Sequence, residues 1–142
     1  MQVEIFSICD AAADYAGRLN LLGAFEGMAS SKAPIVRERC SIAVRMRFMR
    51  DEGGPHPVAV RIVDNSGKAI ASEMTANVNV RPAENRASCA INLVLNISRL
   101  VFPAFGSYEV QLWLDGEKRS SLPLLVAKKV NRGNRLRDQM EN

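Results

Sequence analysis

Residues 40–48, CSIAVRMRF, carry the clearest structural signal in the chain. Cys40, Ile42, Val44, Met46 and Phe48 fall on one side of a two-residue period, and Ser41, Ala43, Arg45 and Arg47 fall on the other. That alternation is the mark of a half-buried β-strand. On the N-terminal side, VEIFSIC (Val3 to Cys9) and RLNLLGAFEGM (Arg18 to Met28) read as strands with apolar residues on both faces, as expected near the middle of a sandwich. DAAADYAG between them suggests a single helical turn capped by Asp10. DEGGPHP (Asp51 to Pro57) reads as a loop leading into the strand Val58 to Asp64, and Asn65 to Gly67 as a turn. Pro103 and Gly106 break the stretch after Ser98, and a closing hairpin occupies residues 107–128. No sustained helical period occurs. Strands at short intervals with turn signals between them predict an all-β fold: a two-sheet antiparallel β-sandwich, immunoglobulin-like or C2-like, of about eight or nine strands.

Residues on paired strands that lie opposite one another share a face, so two registers can be argued. In the closing hairpin, Leu112 opposite Leu122, Val110 opposite Leu124 and Tyr108 opposite Val126 bring both apolar sets together, with Asp115–Lys118 (DGEK) turning the chain. Pro123 then marks residues 119–127 as a protected sheet edge. In MTANVNVRPAENRASCAINLVLNI (74–97), Val80 opposite Ala87 aligns Val78 with Cys89, Ala76 with Ile91 and Met74 with Leu93. The same pairing gathers Thr75, Asn77, Asn79, Ser88 and Asn92 on one small, polar, uncharged face, with Asn96 beyond. Asparagine is depleted in strands. The default reading is a solvated face with cross-strand hydrogen bonds. The alternative is a contact face for another protein or for a second copy in a homodimer, since interfaces lose charge.

Two further features stand out. Trp113 shares the polar side of its strand with Glu109 and Gln111; it is either an interface anchor or is covered by the tail or a loop. Arg45 and Arg47, with Arg61 on the expected partner strand, could meet an anion or an acidic protein. The plainer reading is a solvated face neutralised by Glu38, Asp51 and Asp64.

A chain of 142 residues, 47% hydrophobic and 24% charged, is one ordinary globular domain, placed at residues 1–127. Of the net charge of +4, residues 128–142 supply +3, from five basic and two acidic side chains. This tail lacks aromatic residues to stack on bases and any amphipathic period for a membrane surface, so it reads as a disordered, solubilising terminus rather than a nucleic-acid arm. The start MQVEIFSICD lacks the pattern of a secretory signal and no apolar segment approaches ~20 residues, so the expected location is the cytoplasm, without a membrane. Cys9, Cys40 and Cys89 lack metal-ligand spacing and read as reduced thiols.

His56, between two prolines, reads as a loop residue with no nucleophile motif beside it, and no phosphate loop or dinucleotide fingerprint occurs. Asp10, Asp14, Asp51, Glu52, Asp64 and Asp115 fall at expected loops, where calcium-dependent sandwiches gather carboxylates, but their spacing specifies nothing. The reading is therefore a non-enzymatic protein-binding or assembly module using an outer sheet face, with no catalytic residue and no cofactor. The alternative is a loop-borne ligand or metal site, calcium-dependent or enzymatic.

VEIFSICDAA, GRLNLLGAFEGM, NVNV, INLVLNI, GSYEVQLWLDG and SLPLLV, in this order, resemble a family of small bacterial proteins known only as a domain of unknown function. The resemblance spans nearly all of residues 1–127. It implies a soluble bacterial β-domain and brings no activity, cofactor or catalytic residue.

Overall fold

The computed structural model describes residues 1–130. In chain order the strands are β1 (Gln2–Tyr15), β2 (Arg18–Ala24), β3 (Gly27–Ser30), β4 (Ile35–Met49), β5 (Gly54–Asp64), β6 (Met74–Val80), β7 (Ser88–Phe102), β8 (Gly106–Leu114) and β9 (Glu117–Lys128). The one helical element among the described residues is a 3-10 turn at Arg50–Glu52. The strands form a four-stranded sheet, β2-β1-β4-β7, and a five-stranded sheet, β3-β9-β8-β5-β6. Every pairing is antiparallel except β3 with β9. The expected β-sandwich is thus the observed architecture, and its nine strands lie within the expected number.

The core lies between the sheets and is made by the alternation already visible in the sequence. Ile42, Val44, Met46 and Phe48 of β4 are each 0% exposed, and face Val58, Val60, Ile62, Val110 and Leu112 of the other sheet within one cluster. Of the residues expected in the core, Cys89, Ile91, Leu93 and Leu122 pack against it but stay half-buried. Their strands run along the margins of the sandwich.

The partner of β6 differs from expectation. β6 pairs with β5, Pro57 opposite Asn77 and Ala59 opposite Thr75, while β7 pairs with β4, Arg45 opposite Asn92 and Met49 opposite Ser88. The RPAENRA connection therefore crosses between sheets and does not close a hairpin. Both arrangements keep Val78, Val80, Ile91 and Leu93 directed at the core, so alternation alone does not distinguish them. Thr75, Asn77 and Asn79 lie on the outside of the five-stranded sheet, and Ser88 and Asn92 on the outside of the other. The single asparagine face is divided. Arg61 is separated from Arg45 and Arg47 in the same way, because β5 pairs with β6 and β8 rather than β4.

The closing hairpin keeps its faces and shifts its register by two residues: Val110 lies opposite Leu122 and Tyr108 opposite Leu124. Asp115 (φ 53) and Gly116 (φ 79) form a two-residue turn, the left-handed pair that matches strand twist. Carried straight on, that turn would set Arg119 opposite Leu112. A register shift between Leu112 and Trp113 leaves Arg119 unpaired and puts Ser120 opposite Leu112, which returns Leu122 and Leu124 to the core side. Only part of β9 is an edge, because Leu125–Lys128 pairs with β3.

β1 is a strand throughout, where a helical turn was expected after Asp10. Residues 11–15 pair with 18–22 around Ala16 (φ 50) and Gly17 (φ 77), and the Gly17 amide donates to Asp14 Oδ1 at 3.1 Å. This hairpin leaves the β4 pairing at Cys9 and folds back across the outside of the four-stranded sheet, where Asn92 Nδ2 donates to the Gly17 carbonyl at 3.1 Å. Ser41 and Ala43, on the outward side of β4, are consequently 4% and 0% exposed. The expected loop at Asp51–Pro57 is likewise mostly strand, since β5 starts at Gly54. The β8 ladder reaches Val58, and beyond it only the Asp115 amide bonds the Pro57 carbonyl, at 3.0 Å; residues 54–56 have β6 on one side and no strand on the other among the described residues, a setting that admits two prolines. β7 also continues through Phe102 before the chain breaks at Pro103. β9 ends at Lys128, and the Lys129 amide donates to the Ser30 carbonyl at 2.7 Å. The rest of the expected tail, residues 131–142, lies outside the described residues.

Candidate functional site

The outer face of the five-stranded sheet brings together the largest set of residues singled out in the sequence. β8 contributes Glu109, Gln111 and Trp113, and β5 sets Ala59 opposite Trp113 and Arg61 opposite Gln111. β6 adds Thr75 beside Ala59, Asn77 beside Pro57 and Asn79 beside Pro55. Pro57, Ala59, Arg61, Glu73, Thr75, Asn77, Trp113 and Gly116 line a shallow depression of about 670 Å³.

Its floor is held by a chain of side-chain contacts. Trp113 is half-buried, and its indole Nε1 donates to Gln111 Oε1 at 3.0 Å. Gln111 Nε2 in turn donates to Glu109 Oε1 at 3.2 Å, and Lys118 Nζ pairs with the same oxygen at 2.6 Å. The Lys118 hydrogen bond is the first reason that the Glu109 carboxyl titrates below the usual range. The Arg61 guanidinium lies 4.2 Å from the centre of the Trp113 ring and is ion-paired with Glu73. Stacking of this kind orients both side chains. The indole ring is thus fixed on a concave surface whose further rim, Thr75 and Asn77, is polar and uncharged, while Asn79 lies beyond the depression. Nothing in the sequence pointed to Glu73, which precedes β6 in a stretch without strand periodicity.

The remaining candidates lie on the opposite outer face, and the structure accounts for them internally. Arg45 Nε and Arg47 Nε meet Glu4 at 3.2 Å and 2.9 Å. The Arg47 hydrogen bond leads the causes that hold the Glu4 carboxyl below its ordinary range. Asn92 Oδ1 accepts from Arg45 Nη1 at 2.9 Å while its amide holds the β1–β2 hairpin. Ser88 Oγ accepts from Arg47 Nη1 at 3.1 Å, and Asn96 Oδ1 accepts from Ser41 Oγ at 2.7 Å. The asparagines of β7 serve as strand-to-strand ties.

Of the six acidic residues expected at loops, Asp10 and Asp14 lie in β1, and all but Asp51 are engaged within the chain, Asp14 by the Gly17 amide and Asp115 by His56. Asp10 pairs with Arg37, Asp64 accepts from the Ser66 and Lys68 amides at 2.9 Å and 3.0 Å, and both Glu52 oxygens meet the N-terminal amine at 2.8 Å and 2.9 Å. His56 sits inside the sandwich end, 4.9 Å from the Phe48 ring. Its Nδ1 meets Asp115 Oδ2 at 2.8 Å and its Nε2 meets the Glu52 carbonyl at 2.7 Å. Both acceptors favour the imidazolium, the Glu52 carbonyl foremost, and raise the His56 pKa. Among the described residues no three His, Cys, Asp or Glu side chains are grouped as a metal site requires, and no helix is long and apolar enough to cross a membrane.

No curated protein matches the chain. Among solved structures, it is similar to a β-glucuronidase from glycoside hydrolase family 2, with 17% identity and a TM-score of 0.34 over 63% of this chain and 10% of that one. It is similar also to the Pseudomonas fluorescens alkylpurine DNA glycosylase AlkC bound to DNA containing an abasic site analog, with 14% identity and a TM-score of 0.38 over 71% of this chain and 27% of that one. The chain therefore spans a minor part of either. The profile of one family, described as a family of unknown function, matches residues 4–127, nearly the whole sandwich, and the chain belongs to that family, DUF6941.

Proposed function

We propose that this protein is a non-enzymatic binding module that holds a protein partner against the outer face of its five-stranded sheet, with Trp113 as the anchor. The observation that carries the reading is the indole itself, the single Trp of the chain. It is fixed by Gln111 and Arg61 at the floor of a concave surface beside an uncharged polar rim. Half-buried, pre-oriented aromatic side chains dominate binding energy at interfaces, and little ordering entropy is lost when such a side chain is covered. Three free thiols support a reducing compartment, the bacterial cytoplasm, as its setting.

The test is affinity capture of the tagged chain from its native cells, with native protein, Trp113→Ala and Arg45→Ala in parallel. A hot-spot residue contributes ~2–4 kcal/mol, or roughly 30- to 800-fold in affinity. The partner recovered with native protein and with Arg45→Ala is expected to be lost with Trp113→Ala at an unchanged fold. Equal recovery with all three proteins would refute the assignment of this face.

A further inference from the structure

β7 is one edge of the four-stranded sheet and the longest edge strand among the described residues, 15 residues against 7 in β2, 4 in β3 and 7 in β6. It pairs with β4 along its length and has no strand on its other side among the described residues. Exposed edges are ordinarily guarded by charge, proline or bulges, because a row of free backbone donors and acceptors invites another strand. Residues 88–98, SCAINLVLNIS, contain no charged residue, no proline and no glycine. The guards stand at either end. Arg86 precedes the strand, and Arg99 adopts φ 56, a left-handed break just beyond Ser98. Ile91, Leu93, Leu95 and Ile97 point inward along this edge and remain only half-buried.

The order of residues indicates the occupant. AINLVLNIS, residues 90–98, reads the same in both directions about Val94, except for its end pair Ala90 and Ser98. An antiparallel two-fold pairing centred on Val94 would set Val94 opposite itself, Leu93 opposite Leu95 and Asn92 opposite Asn96. Ile91 would then face Ile97. Every inward row would be apolar, the outward rows would join Val94 with itself, Asn92 with Asn96 and Ala90 with Ser98, and no like charges would meet. A partner of unrelated sequence has no reason to match in this way, whereas a two-fold contact needs only one self-complementary strand.

We propose that two copies of this chain join edge to edge through β7, antiparallel about Val94, so that their four-stranded sheets continue into one. Nine paired residues run for ~30 Å and supply about nine backbone hydrogen bonds, within the ~10 ± 5 of an ordinary interface. The β1–β2 hairpin does not obstruct this, since Asn92 holds it on the outer face of the sheet. This contact is independent of the Trp113 face, which belongs to the other sheet.

Light scattering on the native full chain is expected to give twice the mass of one chain at high micromolar concentration. Val94→Lys places like charges at the two-fold axis, and Val94→Asp does the same with the opposite sign. Each alone is expected to halve the mass, and an equal mixture is expected to restore it, which misfolded protein would not do. The native chain at single-chain mass, or either variant at full dimer mass, would overturn the proposal. Should neither variant fold, amide hydrogen exchange of the native chain decides. Protection of residues 90–98 that rises with protein concentration supports the contact, and protection that does not change with concentration refutes it.

Discussion

Replacing Asn92 with Ala tests why a strand keeps an asparagine where β-formers belong. The substitution removes the acceptor of the 2.9 Å bond from Arg45 and the donor of the 3.1 Å bond to the Gly17 carbonyl. A neutral hydrogen bond contributes ~0.5–1.5 kcal/mol net and one to a charged group ~1.5–3. Arg45 keeps Glu4 at 3.2 Å and the Gly17 bond is solvent-exposed, so both contributions fall at or below the lower ends of their ranges. The sum is at most about 2 kcal/mol, or a fall of up to ~6–8 °C in melting temperature for a domain of this size. Asn92→Asp separates the two ties, because a carboxylate still accepts from Arg45 but cannot donate to Gly17. Both variants are expected to speed amide exchange in residues 11–22, while the aspartate variant loses only a small part of the melting temperature. Scanning calorimetry at fixed protein concentration, with exchange followed by mass spectrometry, gives both readouts. A lowered melting temperature with native exchange in the hairpin would refute the role of Asn92 as its tie.

Other consequences follow from the core and the turns. Ile42→Ala, at a fully buried site in the middle of β4, is expected to lower stability by ~2–5 kcal/mol in denaturant titrations, and Ile91→Ala, half-buried on the β7 edge, by distinctly less. Gly116→Ala places a Cβ at φ 79 with no steric neighbour, so its effect is purely conformational, a loss of ~1–2 kcal/mol measured the same way. The His56 pKa is raised on folding, so its contribution is complete below the unfolded value of about 6.5 and is lost as pH rises through the folded value. The melting temperature should therefore decline on the alkaline side of pH ~6.5, and His56→Gln should flatten that decline.

What the sequence made legible was the face of each residue. Cys40 to Phe48, Met74 to Val80 and Tyr108 to Leu114 all lie with the expected side inward. Neighbours were less legible. Val78 and Ile91 fit a hairpin on paper because both point inward, but a two-residue period carries no information about which strand lies alongside, and that choice rests on contacts distant in sequence. The closing register shifted by an even number for a related reason, since the Asp115–Gly116 turn and the bulge at Arg119 exchange one face-preserving pairing for another. DAAADYAG suggested a single helical turn through the cap that Asp10 offered. The Ala16–Gly17 turn and the cover it forms over Ala43 overrode that local preference. For the candidate site, Trp113, Gln111 and Glu109 were legible together because they alternate on one strand, whereas Thr75 and Asn77 join them only through β5.

The most direct test of the proposed partner face is photo-crosslinking in native cells. A photoreactive side chain would replace Asn77, beside the Trp113 depression, or Asn20, exposed on the hairpin over the opposite sheet. A discrete heterologous adduct is expected from position 77, absent from position 20 and abolished when Trp113→Ala is added. An adduct formed from position 20 alone, or one from position 77 that survives Trp113→Ala, would refute the Trp113 face as the partner surface.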